Sequence, residues 1–306
     1  MKLYIVSRGA KESTEQWCLQ IAQELVGNHN VVLLNEPSFA KAHIKSMEIG
    51  ANLLGFDYVI FLDADILLFK ENFYESIKNG IENLKDKKFY MLNYQVFDRQ
   101  CISPVYGVHL YNINTLKKAI DLKSIALNSQ KPETAVCKEM AKRGYKTYTT
   151  QELIGFHGYE QYYLDLYRTA FVRGVKYKGH WDFYLSTFYK NKKKDLDFFW
   201  SYQGLIDGIL YFTEGNKNAS LSKSNYIGRF NKHLLEYNLK EKEELIDIYN
   251  STIIQRDLNN INPLYEENKG WLTPLKVGFN ETNEFKKIIR KIYKKVKAKL
   301  KAKRNE

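Results

Sequence analysis

The chain has 306 residues, 44% of them hydrophobic and 14% aromatic, with 17 glycines and 5 prolines. That is enough apolar material for a full core, and it excludes collagen-like, low-complexity and disordered classes. The net charge of +12 is concentrated in the stretch from Lys286 to Arg304, which holds eleven Lys or Arg and no acid. The rest of the chain carries 36 basic against 35 acidic residues.

Excess charge confined to one segment speaks against nucleic-acid binding, where basic charge spreads over a groove or face. In the tail, Phe285, Ile288, Ile289, Ile292, Val296 and Leu300 recur at helical spacing, with lysines on the other side. A basic amphipathic helix of this kind suits an anionic membrane surface, and residues 284–306 are read as such a helix. Cys18, Cys101 and Cys137 form no CxxC pair, so a reducing compartment is expected. Val59 to Phe69 is the most apolar stretch, but Asp63 and Asp65 interrupt it, and crossing a bilayer takes ~20 apolar residues. The N-terminus lacks the apolar core of a signal peptide. The expectation is a cytoplasmic protein, peripheral on the inner face of the membrane.

Lys2 to Ser7 reads as a buried first strand. Ser13 and Gln16 form a capping-box pattern for a helix reaching Val26. Val31 to Leu34 is a second strand. Phe39 to Leu54 is a helix, with Ala40, Ile44, Met47 and Ala51 at helical spacing, and Tyr58 to Leu62 is a third strand. Strands and helices alternating at these lengths predict a mostly parallel α/β sheet with flanking helices. Such sheets bind ligands at the carboxyl ends of their strands, where Ser7, Asn35 and Asp63 stand.

Downstream, the pattern gives a helix over Glu71 to Leu84, strands at Phe89 to Asn93 and Tyr106 to Asn112, and a helix from Thr115 to Ile125. A helix from Pro132 to Arg143 stops at Gly144, and Tyr145 to Tyr148 is a strand. Beyond Gly158 the chain turns rich in Tyr, Phe and Lys. It reads as helical over Tyr159 to Val175, Asp182 to Lys192, Leu196 to Tyr211 and Leu234 to Asn250. The expected organisation is a catalytic domain over 1–158, a helical extension over 159–283 and the basic tail over 284–306.

The chemistry centres on Asp63-Ala64-Asp65, which follows the apolar strand directly. Two carboxylates one residue apart at a strand end can face one divalent cation. Mg²⁺ or Mn²⁺ takes one or two carboxylates and completes its shell with substrate phosphate oxygens. The plain alternative is a pair of acids capping the turn.

The run from Asp57 to Asp65 resembles the DxD segment of glycosyltransferases with the GT-A fold, most of all the family-2-type nucleotide-sugar transferases. Pro132-Glu133-Thr134, opening a helix that ends in Arg143-Gly144-Tyr145-Lys146, is similar to their "ED" helix, although Thr134 stands where the second acid would be. His157, in Gly155-Phe156-His157-Gly158, matches a histidine that often binds metal near the end of their catalytic domain.

The resemblance covers residues 2–160 and implies several roles. Asp65, Asp63 and His157 would hold Mn²⁺ or Mg²⁺, with Asp63 also contacting the nucleotide. Glu133 would be the catalytic base, with Asp98, in the loop before Tyr106, as the second choice. Ser7, Arg8, Lys41 and Lys45 would lie near the nucleotide, with His43 between the lysines. Tyr159, Tyr162, Tyr163, Tyr167 and Trp181 either stack on sugars or pack a core.

The implied reaction moves a sugar from a nucleotide-diphosphate donor, UDP-linked first, to a hydroxyl of a saccharide or lipid-linked acceptor at the membrane. Two other classes fit parts of the sequence. A sugar-nucleotide nucleotidyltransferase would need a glycine-rich loop where Ser7 to Lys11 has one glycine. A non-catalytic membrane-binding protein would use the two acids structurally.

Overall fold

The computed structural model describes residues 1–242 except 10, 37, 85, 86, 130 and 217–222. The expected tail helix at 284–306 lies outside the described residues. The chain forms two compact units, which divide between Glu160 and Gln161.

In the first unit a seven-stranded sheet runs in the order β2 (Val31–Asn35), β1 (Leu3–Gly9), β3 (Tyr58–Asp63), β6 (Ser103–Asn112), β5 (Phe89–Asp98), β7 (Lys146–His157), β4 (Ile66–Leu68). Five strands point one way, and β6 and β4 run against them. The expected α/β fold, a mostly parallel sheet with helices around it, is what the structure has.

Alternation along the strands builds a layer on each face. Leu3, Ile5, Ile60 and Leu62 meet Cys18 and Ile21 of α1 (Glu15–Val26) and Phe73 and Ile77 of α3 (Phe73–Glu82). Val6, Val59 and Phe61 face the other way. They meet Met47 of α2 (Phe39–Asn52), Leu116 of α4 (Ile113–Lys117), and Val136 and Met140 of α6 (Pro132–Lys142). Ala126 of α5 (Lys123–Leu127) closes that layer.

Several elements differ from the sequence expectation. Helix α1 begins at Glu15 behind Thr14, and Ser13 Oγ donates to the Glu160 carbonyl instead of capping the helix. Strands β5 and β7 run well past Asn93 and Tyr148. Strand β4 is only three residues long and was not foreseen. It pairs with β7 from Ile66–His157 to Leu68–Gly155. Gly155 is required there, because the Leu67 carbonyl lies 2.9 Å from where a Cβ would stand.

The second unit is helical: α7 (Tyr163–Lys176), α8 (Trp181–Asn191), α9 (Leu196–Thr213) and α10 (Ile227–Tyr237). Its core gathers Tyr167, Phe171, Trp200 and Phe230. Tyr167 is fully buried in it, and Tyr163 stacks on Trp200 with ring centroids 5.7 Å apart. The tyrosines that end in this core are packing residues, as is Tyr159 in the first unit's core. Among the described residues, no helix is long and apolar enough to cross a membrane.

Candidate active site

Three strands end together at the carboxyl edge of the sheet. Strand β5 ends at Asp98, β7 ends beside it at His157, and Asp65 immediately precedes β4. Backbone bonds tie these ends: Arg99 N–H donates to the His157 carbonyl at 3.1 Å, and Gly158 N–H to the Asp65 carbonyl at 3.0 Å.

The side chains form one chain across these ends. His157 Nε2 lies 3.1 Å from Asp65 Oδ2, and His157 Nδ1 lies 2.9 Å from Asp98 Oδ2. Asp98 is almost fully buried, and its other oxygen accepts from Cys101 N–H at 2.7 Å. Asp98 thus stands at a strand end with both oxygens engaged, rather than in the expected loop. Both contacts would hold it against His157. Burial would lower the His157 pKa, but the two carboxylates outweigh it and raise it well above the ordinary value. Asp65 is correspondingly lowered, because the imidazolium outweighs burial.

Asp65 and His157 could hold a divalent cation between them, and the imidazole nitrogen suits a transition-metal ion such as Mn²⁺ better than Mg²⁺, which prefers an all-oxygen shell. Two neighbouring ligands on an octahedral ion, each about 2.1 Å from it, stand about 3 Å apart. The 3.1 Å between Asp65 Oδ2 and His157 Nε2 is an ion pair, and the two atoms would both be within reach of one cation once the proton between them is lost. Asp65 Oδ1 is buried and has no hydrogen-bond partner among the described residues. Asp98 behind the imidazole would hold the tautomer that binds a cation through Nε2, once that nitrogen has given up its proton. No group of three or more His, Cys, Asp or Glu among the described residues is placed to hold a metal. The shell would therefore be completed by substrate oxygens and water, as is usual for such ions.

Asp63 goes elsewhere. Alternation along β3 puts it on the face of α2 and α6, opposite Arg8 of β1. Arg8 Nε donates to Asp63 Oδ1 at 3.0 Å, and Arg8 Nη1 to Glu133 Oε1 at 2.7 Å. Glu133 sits in the first turn of α6, where the macrodipole favours an acid. His43 Nδ1 of α2 and His109 Nε2 of β6 each stand 3.6 Å from its carboxylate. Burial would raise the Glu133 carboxyl, but His109, Arg8 and His43 outweigh it and hold it at about 2. Burial, with Arg8 and His109 adding to it against Glu133, lowers His43 to about 4. A carboxylate held at about 2 and bonded to an arginine is a weak base.

The remaining expected residues separate. Ser7 is fully buried inside β1, and its hydroxyl has no partner among the described residues. The strand continues two residues beyond it, so Arg8 and Gly9 form its end. Lys41 is exposed on α2, and Lys45 pairs with Glu36 at 2.7 Å.

His109 escaped the sequence reading. It lies in an apolar strand pattern on the same face as Tyr111, and a polar residue in such a place is the signal that marks it. Its Nδ1 is 2.8 Å from Asn93 Oδ1. The groove lined by Met1, Phe56, Tyr74 and Asn112 opens at the amino ends of β1 and β3 and holds none of these residues.

No protein-family model and no curated protein matches the chain. Its likenesses among solved structures are remote. A glycosyltransferase involved in glycosylation of the major capsid of PBCV-1 matches with TM-score 0.40 at 11% identity, over 53% of this chain and 96% of that one. A cytidylyltransferase from Leptospira borgpetersenii matches at 0.34 and 10%, over 65% and 97%. TarS from S. aureus matches at 0.35 and 11%, over 70% and 49%. Likenesses this remote do not decide function, which rests on the residues above.

Proposed function

We propose that the chain is a metal-dependent glycosyltransferase. It would move a sugar from a nucleotide-diphosphate donor, a UDP-sugar first, to a hydroxyl of a saccharide or lipid-linked acceptor. The observation that carries this reading is the Asp65–His157–Asp98 chain at the carboxyl ends of an α/β sheet, where such folds bind ligands. Bound Mn²⁺ or Mg²⁺ would neutralise the diphosphate leaving group.

The protein's own residues supply position. Asp98 holds the imidazole of His157 in one orientation, and His157 and Asp65 would present one nitrogen and one carboxylate to the ion. Arg8, clamped between Asp63 and Glu133, fixes Asp63 at the end of β3. Glu133 enters as the anchor of Arg8. Lys41 and Lys45, on the exposed side of α2, remain candidates for nucleotide contact. The proposed place of work is the cytoplasmic face of a membrane, held by residues 284–306. Deleting that segment should weaken binding to anionic vesicles, and unchanged binding would count against it.

The test is turnover of a panel of UDP-sugars with Mn²⁺, with and without a chelator. Wild-type protein should release UDP only with the metal, and Asp65→Asn should lose at least about a hundredfold. Activity that survives chelation, or an unaffected Asp65→Asn, would contradict the reading.

A further inference from the structure

Outside the tail, the near-balance of charge conceals a second cationic stretch. From Arg173 to Lys194 there are seven Lys or Arg and one acid, Asp182, together with six aromatic residues. The fold of the second unit brings these into one arrangement. Gly204 and Gly208 of α9 abut the carbonyls of Tyr167 and Phe171 of α7, so the two helices run side by side in the same direction. Helix α8 therefore leads back from the end of α7 to the start of α9. Its eleven residues make a rod about 16 Å long with cations at both ends.

Lys176 and Lys178 stand exposed before α8, and Lys190, Lys193 and Lys194 stand exposed at and beyond its last turn. Between them only Leu185 and Phe188 are buried, while Trp181, Phe183, Tyr184 and Tyr189 are half-buried. Tyr177 and Leu196, at either end, are 37% and 45% exposed. The ring of Trp181 is held by a 2.8 Å bond from Nε1 to the Gly174 carbonyl. Lys192 Nζ lies over the rings of Tyr189 and Tyr202, 4.4 and 3.9 Å from their centroids. Two of the neighbouring acids are occupied: Asp195 caps α9 by accepting from Asp197 N–H at 2.8 Å, and Asp197 pairs with Lys242 at 2.7 Å.

We propose that α8, with the lysine turns at its two ends, is a face that lies on an anionic lipid surface. A short helix parallel to the membrane places aromatic rings at headgroup depth and lysines against lipid phosphates, and this distribution of residues matches that need. The face is formed by residues other than the 284–306 tail. The proposal does not depend on the transferase reading, and its failure would leave that reading untouched.

The test uses the full chain and vesicles of phosphatidylcholine with and without phosphatidylglycerol. Lys190→Gln, Lys193→Gln and Lys194→Gln are combined in one variant, and circular dichroism checks its fold. The variant should partition to anionic vesicles at least about tenfold more weakly at low salt, with the loss shrinking as salt rises. Brominated lipid should quench the wild-type tryptophan fluorescence, and Trp181→Phe should be quenched measurably less. Equal partitioning of the triple variant, or quenching undiminished in Trp181→Phe, would overturn the proposal. So would tighter binding to single-stranded RNA than to vesicles, since cations interleaved with rings also suit a nucleic acid.

Discussion

Arg8 bonds two carboxylates at once, and its neighbours share the consequences. His43 is fully buried and is kept neutral by that burial, at about 4 against an ordinary 6.5. Because the unfolded chain binds this proton more readily, the stability linked to His43 is complete above pH 6.5 and is lost as pH falls towards 4. The loss amounts to about 3 kcal/mol. Chemical denaturation of His43→Gln across that window should show a flatter acid limb than wild type; parallel limbs would contradict the assignment. Glu133→Gln separates anchor from base. An anchor's loss should raise KM and leave the pH profile of kcat in place. A base's loss should cost kcat about 10²- to 10⁴-fold and remove the profile's acidic limb. Asp98→Asn should weaken Mn²⁺ binding about 10- to 100-fold, measured by titration, while leaving the fold intact. Of these residues, Asp65 and His157 are marked as candidates by local signals, a DxD after an apolar strand and a histidine between glycines. The contact of Asp98 with His157 carries no local signal, because its partner lies 59 residues away and only the β5–β7 pairing brings it near.

The elements that carry the site were partly visible. The first three strands and their helices follow from hydrophobic spacing, since each buries a clear face. Strand β4 escaped because three residues offer no period, and its pairing with β7 is set by a carbonyl seated against Gly155. Strand β7 continues beyond Tyr148 through Thr149, Thr150, Gln151 and Glu152, which offer no apolar alternation to mark a strand. In the second unit the decisive positions are Gly204 and Gly208, whose missing side chains let α9 meet the α7 backbone. Gly208→Ala should destabilise that unit by about 1–3 kcal/mol or more through overpacking, read from urea denaturation. A neutral effect would mean the helices have room that the structure does not show.

At the scale of the molecule, charge is the part the sequence showed only in sum. The +12 total was legible, but the +6 over Arg173 to Lys194 became a surface only once α8 was seen folded back between α7 and α9. In the first unit, the two acids of Asp63-Ala64-Asp65 divide between an arginine clamp and a histidine. That division leaves Asp65 and His157 as the pair to which a cation and a diphosphate would come. The most direct measurement is calorimetric titration of UDP into the protein with and without Mn²⁺, on wild type, Asp65→Ala and Asp63→Ala. Binding should require both the metal and Asp65, and Asp63→Ala should weaken it without abolishing it. Metal-independent binding, or full affinity in Asp65→Ala, would contradict the site described here.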